Sequence, residues 1–147
     1  MIRSLLFSIC LVMTSGSAFA ETLNSEKPFA EKHVILQVSD NDPAKFSLAL
    51  DVSNNLIRHY GSTDNIDIQI VAFAGGVHML AENAENKTRI ESLLASDVRF
   101  VVCLNTLDTI QRTTGRRLRV LEGVDGVQTG VAYMLEEIEK GYTHIHP

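Results

Sequence analysis

Short apolar runs alternate with segments of helical periodicity from residue 33 to the end of the chain. An apolar run of five to seven residues, bounded by polar residues or glycine, is typical of a strand that is buried in a sheet. The chain contains three such runs and two that are shorter or less apolar, which predict strands at residues 33–39, 67–73, 98–102, 124–128 and 142–145.

Helical spacing of apolar residues fills the intervals between these strands. The first helix begins with Asp42 as N-cap and Pro43 at its first position, and Gly61 ends it. The same reasoning predicts further helices at about 85–95 and, capped by Asn105 or Thr106, up to about Thr114. A last helix contains Val131, Met134, Leu135 and Ile138 and stops at Gly141.

Strands that alternate with helices pair in parallel through right-handed crossovers. Their apolar character indicates that helices cover both faces of the sheet. We therefore predict an α/β fold: a single three-layer α/β/α domain at 33–147, with a mostly parallel sheet of about five strands. Residues 21–32 are polar and are expected to form a loose leader.

The first twenty residues have the features of a secretory signal peptide. Residues 1–3 carry a positive charge, residues 5–13 are mostly apolar, and Ala18-Phe-Ala20 fits a cleavage site before Glu21. The apolar run is shorter than the ~20 residues that span a bilayer. The sequence predicts an exported, periplasmic protein with no membrane attachment after cleavage.

The net charge of the chain argues against nucleic acid as a partner. The 147-residue chain has a formal net charge of −5, and loss of Arg3 with the signal makes the mature chain one unit more negative. An acidic chain with few aromatic residues is a poor nucleic-acid binder. The one basic run, Arg116-Arg-Leu-Arg119, is better interpreted as a solvated helix end or loop than as an anion site.

Cysteine usage raises the main chemical question. Cys10 lies in the predicted signal, which leaves Cys103 as the one cysteine expected in the mature protein. A single cysteine forms no intrachain disulfide, so Cys103 is buried, joined to another chain or chemically active. The chain has no C-x-x-C pair for a dithiol cycle and no G-x-S-x-G motif.

Candidate site residues follow three of the predicted strands. Ligands of open parallel sheets bind at the carboxyl ends of the strands, where Asp40, Gly75-Gly76 with His78, and Cys103 are expected. A helix N-terminus after Cys103 would lower the pKa of its thiol. Its apolar neighbours equally favour an inert core cysteine, and the residues alone leave both interpretations open.

Other polar residues and glycines near these strand ends are weaker candidates for the site. Asn105 and Thr106 are candidates for hydrogen bonds to the sulfur, whereas His78 is more readily an exposed loop residue than a base. The glycine pair lacks the other residues of a phosphate-binding loop, and a tight turn explains it better. His144 and His146 would share one strand face but have no evident third ligand, so neither a metal nor a cofactor is predicted.

The order of motifs resembles the DsrE/DsrF-like family of small sulfur-relay proteins, in an exported branch. The resemblance covers residues 33–147 and rests on HVILQVS, IQIVAFAGGVHML, RFVVCLNTL, LEGVDGVQTGV and the closing GYTHIHP. It implies a parallel α/β/α fold, a subunit that oligomerises, and a cysteine at the position of Cys103 that carries sulfur as a persulfide. Together with an apolar helix face not needed for the core, it leads us to predict a homo-oligomer, a dimer or a trimer.

Two functions from different classes follow. The first is a sulfur carrier that exchanges sulfur on Cys103 with donor and acceptor proteins or with a small thiol or sulfur ligand. The second is a non-catalytic module that binds a small ligand or a protein through its strand-end loops. Thiol reactivity at neutral pH distinguishes the two.

Overall fold

The structure is a computed structural model that describes residues 24–147. The predicted signal peptide, with Cys10 and the Ala18-Phe-Ala20 site, lies outside the described residues.

Five parallel strands form one sheet in the order β4-β3-β2-β1-β5. This arrangement confirms the predicted α/β class and the parallel sheet. β2 lies at the centre, and all seven of its residues are buried. The strands are β1 Lys32–Val38, β2 Ile66–Ala72, β3 Arg99–Cys103, β4 Asp125–Val127 and β5 Thr143–Ile145.

Four α-helices connect the strands: α1 Pro43–Tyr60, α2 Lys87–Leu94, α3 Leu104–Thr114 and α4 Gly130–Lys140. α1 begins at the predicted N-cap: the Asp42 side chain accepts a hydrogen bond from the Ala44 amide at 2.9 Å. Its end follows the prediction as well, with Gly61 in the left-handed conformation at φ 81°.

The glycine segment after β2 is a 3-10 helix, Ala74–Leu80, where the sequence predicted a loop. The helix is held by packing, since Val77, Met79 and Leu80 are fully buried. Gly76 is required there: a Cβ on this residue would lie 1.9 Å from the carbonyl oxygen of Val38. The glycine pair thus brings this helix against the end of β1, which is consistent with a structural role.

The two faces of the sheet are covered very unequally. The face under α1, α2, α3 and the 3-10 helix holds twenty buried apolar residues. Of the four α-helices, only α4 covers the opposite face, over a cluster of five buried apolar residues: Ile35, Val71, Val101, Met134 and Tyr142. The position of α4 therefore depends on a small apolar contact area together with polar contacts.

The described part of the predicted leader is packed against the sheet. Asn24 donates a hydrogen bond to Asp67 at 2.9 Å, and the Glu31 amide donates to Asn65 at 2.8 Å. The Lys27 side chain is buried and donates to the Ile66 carbonyl at 3.4 Å. These contacts replace the loose conformation expected here. No helix within residues 24–147 is both long and apolar enough to cross a membrane.

Candidate functional site

Cys103 lies at the junction of a strand and a helix. It is the last residue of β3 and the N-cap of α3, with extended backbone angles. Because side chains alternate along a strand, Cys103 lies on the same face as Val101, the face that α4 covers. The residue is only 6% exposed, so its sulfur lies just below the surface of this edge.

Two helix N-termini converge on the Cys103 sulfur. Burial raises the pKa of the Cys103 thiol, but hydrogen bonds from the Gly130 amide, from the Thr106 hydroxyl and amide, and from the Asn105 amide outweigh burial. The pKa of Cys103 therefore lies below its ordinary value. Asn105 and Thr106 belong to the first turn of α3, and Gly130 is the first residue of α4. The amides of Thr106 and Gly130, in the first turns of α3 and α4, favour a negatively charged sulfur.

One hydrogen bond acts to raise the pKa of Cys103. The thiol donates a hydrogen bond to the carbonyl oxygen of Gln128, at an Sγ–O distance of 3.7 Å. Ionisation removes this bond and leaves the oxygen beside a negative charge. At this distance the bond is weak, and the surrounding donors outweigh it.

Gly130 permits the close approach of α4. A Cβ built on this residue would lie 3.2 Å from the Cβ of Cys103 and 3.5 Å from the Cβ of Phe73. The 3.2 Å contact is tighter than most real Cβ contacts, so a larger residue would push α4 and Cys103 apart by a few tenths of an ångström. The absence of a side chain at 130 therefore brings the first amide of α4 to the sulfur.

Thr106 and Asn105 connect the surrounding loops to the site. Thr106 Oγ1 accepts a hydrogen bond from the Ala74 amide at 3.1 Å and so joins the end of β2 to α3. The Asn105 side chain donates to Thr129 Oγ1 at 3.1 Å and accepts from the Gln128 side chain. The Asn105 backbone amide also donates to the Gln128 carbonyl at 3.1 Å, so Asn105 mainly holds the β4–α4 loop in place beside the sulfur.

The other predicted residues lie at the same sheet edge but have different neighbours. His78 is exposed and lines a cavity of about 340 Å³ with Asn41, Phe46 and Leu118 among others. Asp40 follows β1 and forms an ion pair with Lys45; hydrogen bonding and charge from Lys45 hold the pKa of Asp40 below its usual value.

Gly75, like Gly76, is needed for close packing of the 3-10 helix, because a Cβ on this residue would lie 2.6 Å from the Asn41 amide nitrogen. The two histidines near the C-terminus have separate partners. His144 Nε2 lies 2.9 Å from Gln37 Oε1, and His146 Nε2 lies 3.9 Å from Asp40.

Sequence reasoning missed Gln128, Thr129 and Gly130 as site residues. Their signal was a glycine directly before an apolar helical pattern, in the segment QTGV. The same loop lines a shallow cavity of about 400 Å³ together with Val127, Tyr133 and Glu136. This cavity adjoins the site and offers room for a ligand or for a partner's side chains.

The chemistry available to the site is that of one stabilised sulfur. The groups that lower the pKa of Cys103 most strongly are amides and one hydroxyl. Cys103 is the one free cysteine of the described residues. The arrangement thus favours a thiolate or a persulfide anion and provides no resolving thiol.

No family model and no curated protein matches the chain. Among solved structures, the chain is similar to a protein of unknown function, MTH1491, from Methanobacterium thermoautotrophicum. The two share 29% sequence identity with a TM-score of 0.70, and the match covers 80% of this chain and all of that one. The described fold therefore recurs as a complete chain in an archaeal protein.

Proposed function

We propose that the protein is a sulfur carrier that accepts and transfers sulfur as a persulfide on Cys103. The observation that supports this most directly is the convergence of two helix N-termini on a single thiol. A carrier needs a stabilised thiolate and has no use for a second cysteine in the same chain. The resemblance to DsrE/DsrF-like proteins points to the same chemistry at the same residue.

The transfer step is an exchange between two sulfur atoms. The Cys103 thiolate attacks the outer sulfur of a donor persulfide, R–S–SH; a new S–S bond forms on Cys103 and the donor leaves as R–S⁻. No net oxidation occurs, because the sulfane sulfur only changes carrier. The reverse step, with an acceptor thiolate attacking the outer sulfur on Cys103, discharges the carrier.

Access to the sulfur restricts the donor. At 6% exposure, Cys103 meets a small thiol persulfide or polysulfide more readily than the bulky surface of a folded donor. A donor or acceptor protein would have to place a narrow segment at the sheet edge, beside the 400 Å³ cavity. We therefore favour a small sulfur donor for loading.

The decisive experiment is intact-mass analysis of the mature protein after treatment with a low-mass polysulfide. A carrier gains the mass of one sulfur atom, and reductant removes it. Cys103→Ser should gain nothing. Cys103→Ala serves as a second variant, because it removes the sulfur without adding a hydroxyl beside the Gln128 carbonyl. An unchanged wild-type mass would refute the carrier.

A non-catalytic binding module is the second candidate, and the near-complete burial of Cys103 favours it. In that function the thiol packs beneath the loops and donates to Gln128, while the cavity binds a ligand. Slow alkylation of native Cys103 at neutral pH, together with no persulfide loading, would support this candidate.

We further propose that the carrier is a periplasmic homo-oligomer. Val131, Leu135 and Ile138 form an exposed apolar stripe along one side of α4, with exposures of 48%, 57% and 37%. Their spacing places all three on one helix face, apart from the buried Met134. A stripe of this kind on a helix is typical of a surface covered by another subunit. Its location beside the thiol would bring a second chain near the site.

A further inference from the structure

A buried polar network fastens α4 to the centre of the sheet. Gln69 of β2 is fully buried, and its side-chain amide donates to Glu137 Oε2 at 2.8 Å. The Tyr133 hydroxyl donates to Gln69 Oε1 at 2.6 Å. Lys140 donates to the other oxygen of Glu137 at 2.6 Å. Gln69 therefore uses both ends of its amide to bind two residues of α4.

These contacts lie on the same helix whose first amide faces the sulfur. Gly130, Tyr133 and Glu137 are separated by three and four residues, so they share the side of α4 that faces the sheet. Tyr133 lies in the first turns, and its own amide donates to Thr129 at 3.0 Å. A shift of α4 on the sheet would move Gly130 relative to Cys103.

Apolar packing alone gives α4 little positional specificity. The cluster beneath it has five buried apolar residues, against twenty on the opposite face. Apolar contacts are non-directional, whereas hydrogen bonds inside a low-dielectric core require particular distances and angles. A polar residue at the centre of the central strand is therefore well placed to fix the helix in one position.

We propose that Gln69 and Glu137 are positioning residues, whose hydrogen bond holds the first turn of α4 against the Cys103 sulfur. The inference rests on the proposed function of Cys103 as a reactive thiol. It assigns to the network a role in reactivity as well as in stability. Neither residue touches the sulfur, so the effect passes through the position of α4.

The test compares the pH profile of Cys103 alkylation by iodoacetamide in the full mature chain. The double variant Gln69→Leu/Glu137→Leu replaces both partners by apolar groups, a change that is often nearly neutral for folding. We expect the midpoint of its profile to move to higher pH. At neutral pH the rate should fall about two- to fivefold, the size expected for loss of one helix N-terminus.

Two further variants distinguish a change in the position of α4 from a general loss of stability. Glu137→Gln keeps an acceptor for Gln69 and should retain a profile close to the wild type. Ile90→Val removes a methyl group from the opposite core and lowers stability without touching α4, so it should leave the midpoint unchanged. If the double variant does not fold, Glu137→Leu, which removes the same hydrogen bond and leaves β2 unchanged, decides by the same measurement.

The possible outcomes distinguish the inference from the proposed function. A wild-type midpoint below that of an ordinary thiol, with an unmoved midpoint in the folded double variant, overturns the positioning role and leaves the carrier intact. A wild-type midpoint at the ordinary thiol value overturns both. A low wild-type midpoint that rises in the double variant but not in Ile90→Val supports the inference.

Discussion

The first amide of α4, at Gly130, faces the sulfur of Cys103 from across the sheet edge, and a Cβ on Gly130 would lie only 3.2 Å from the Cβ of Cys103. This contact joins the second helix N-terminus to a site that α3 would otherwise form alone. The reactivity of the thiol should therefore respond to a substitution at Gly130 even when that substitution changes neither charge nor polarity.

Gly130→Ala should therefore raise the pKa of Cys103. The new methyl group would lie 3.2 Å from the Cys103 Cβ, so α4 and Cys103 have to move apart by a few tenths of an ångström, which weakens the contact of the Gly130 amide with the sulfur. We expect neutral-pH alkylation to slow about two- to fivefold, with a stability loss of about 1 kcal/mol from overpacking. The pH dependence of alkylation measures the shift. Gly115→Ala, at φ 76° in the C-cap of α3, is a control that strains the backbone away from the sulfur and should leave the profile unchanged.

Thr106→Val removes a hydroxyl that acts on both the sulfur and the Ala74 amide. We expect a higher Cys103 pKa and a loss of about 0.5–1 kcal/mol in the free energy of unfolding, because the exposed Ala74 amide exchanges its protein acceptor for water. Urea denaturation and thiolate absorbance measure the two effects. Thr109→Val, one turn later on the same helix, removes a hydroxyl bonded to the Asn105 carbonyl and should change stability less. An equal pKa shift in both variants would contradict a specific role for Thr106.

The lowered pKa of Cys103 predicts a particular dependence of stability on pH. A group whose pKa is lower in the folded state releases its proton first in that state, so stability rises with pH through this interval. Relative to Cys103→Ser, the wild type should gain stability as pH rises from the folded pKa towards the unfolded thiol value of about 8.5. The gain should be complete above that value and absent below the folded pKa. Denaturant unfolding of both proteins across this interval checks the sign; a difference that does not change with pH would show an unperturbed thiol.

Leu135→Glu should dissociate the proposed homo-oligomer. Leu135 lies in the middle of the α4 stripe and is 57% exposed, so a carboxylate costs the isolated subunit little and an apolar interface much more. Sedimentation should give a multiple of the chain mass for the wild type and one chain mass for the variant. Leu48→Glu is a matched control, because Leu48 is 45% exposed on α1 and outside the stripe. A wild type that sediments as one chain across micromolar concentrations would refute the assembly.

Export should leave Glu21 as the first residue of the mature protein. The prediction rests on the Ala18-Phe-Ala20 site that follows a short apolar run. N-terminal sequencing of protein recovered from the periplasm tests it. Recovery of Met1 in that fraction would show that the segment is retained.

Local pattern was sufficient for the strands and for most helix ends, since each depends on nearby residues. The predicted strand at 67–73 differs by one residue at each end from β2, Ile66–Ala72. The 3-10 helix was missed because Gly75-Gly76 has the local signature of a turn. Its conformation depends on the fit of Gly76 against Val38, a contact between two separate parts of the chain.

The site was only partly predictable for a related reason. The position of Cys103 at a strand end is visible in the sequence, but the neighbours of that end depend on strand order. β4 pairs with β3, which brings Gln128 and Gly130 to the sulfur. β2 separates β1 from β3, so Asp40 lies two strands away and interacts with Lys45 instead. No periodicity in the sequence encodes that order.

The unequal cover of the sheet also determines how the thiol meets bulky reagents. Because the larger core lies on the opposite face, α4 can detach while most of the buried apolar surface stays intact, an opening that requires less free energy than global unfolding. Such an opening exposes Cys103 and at the same time withdraws the Gly130 amide from it. Large reagents would then react with a thiol of nearly ordinary acidity, at a rate that stops rising with reagent concentration once opening becomes limiting. Small donors would react with the activated sulfur directly, without waiting for α4 to open. The opening rate of α4 would therefore limit the reaction of large reagents only.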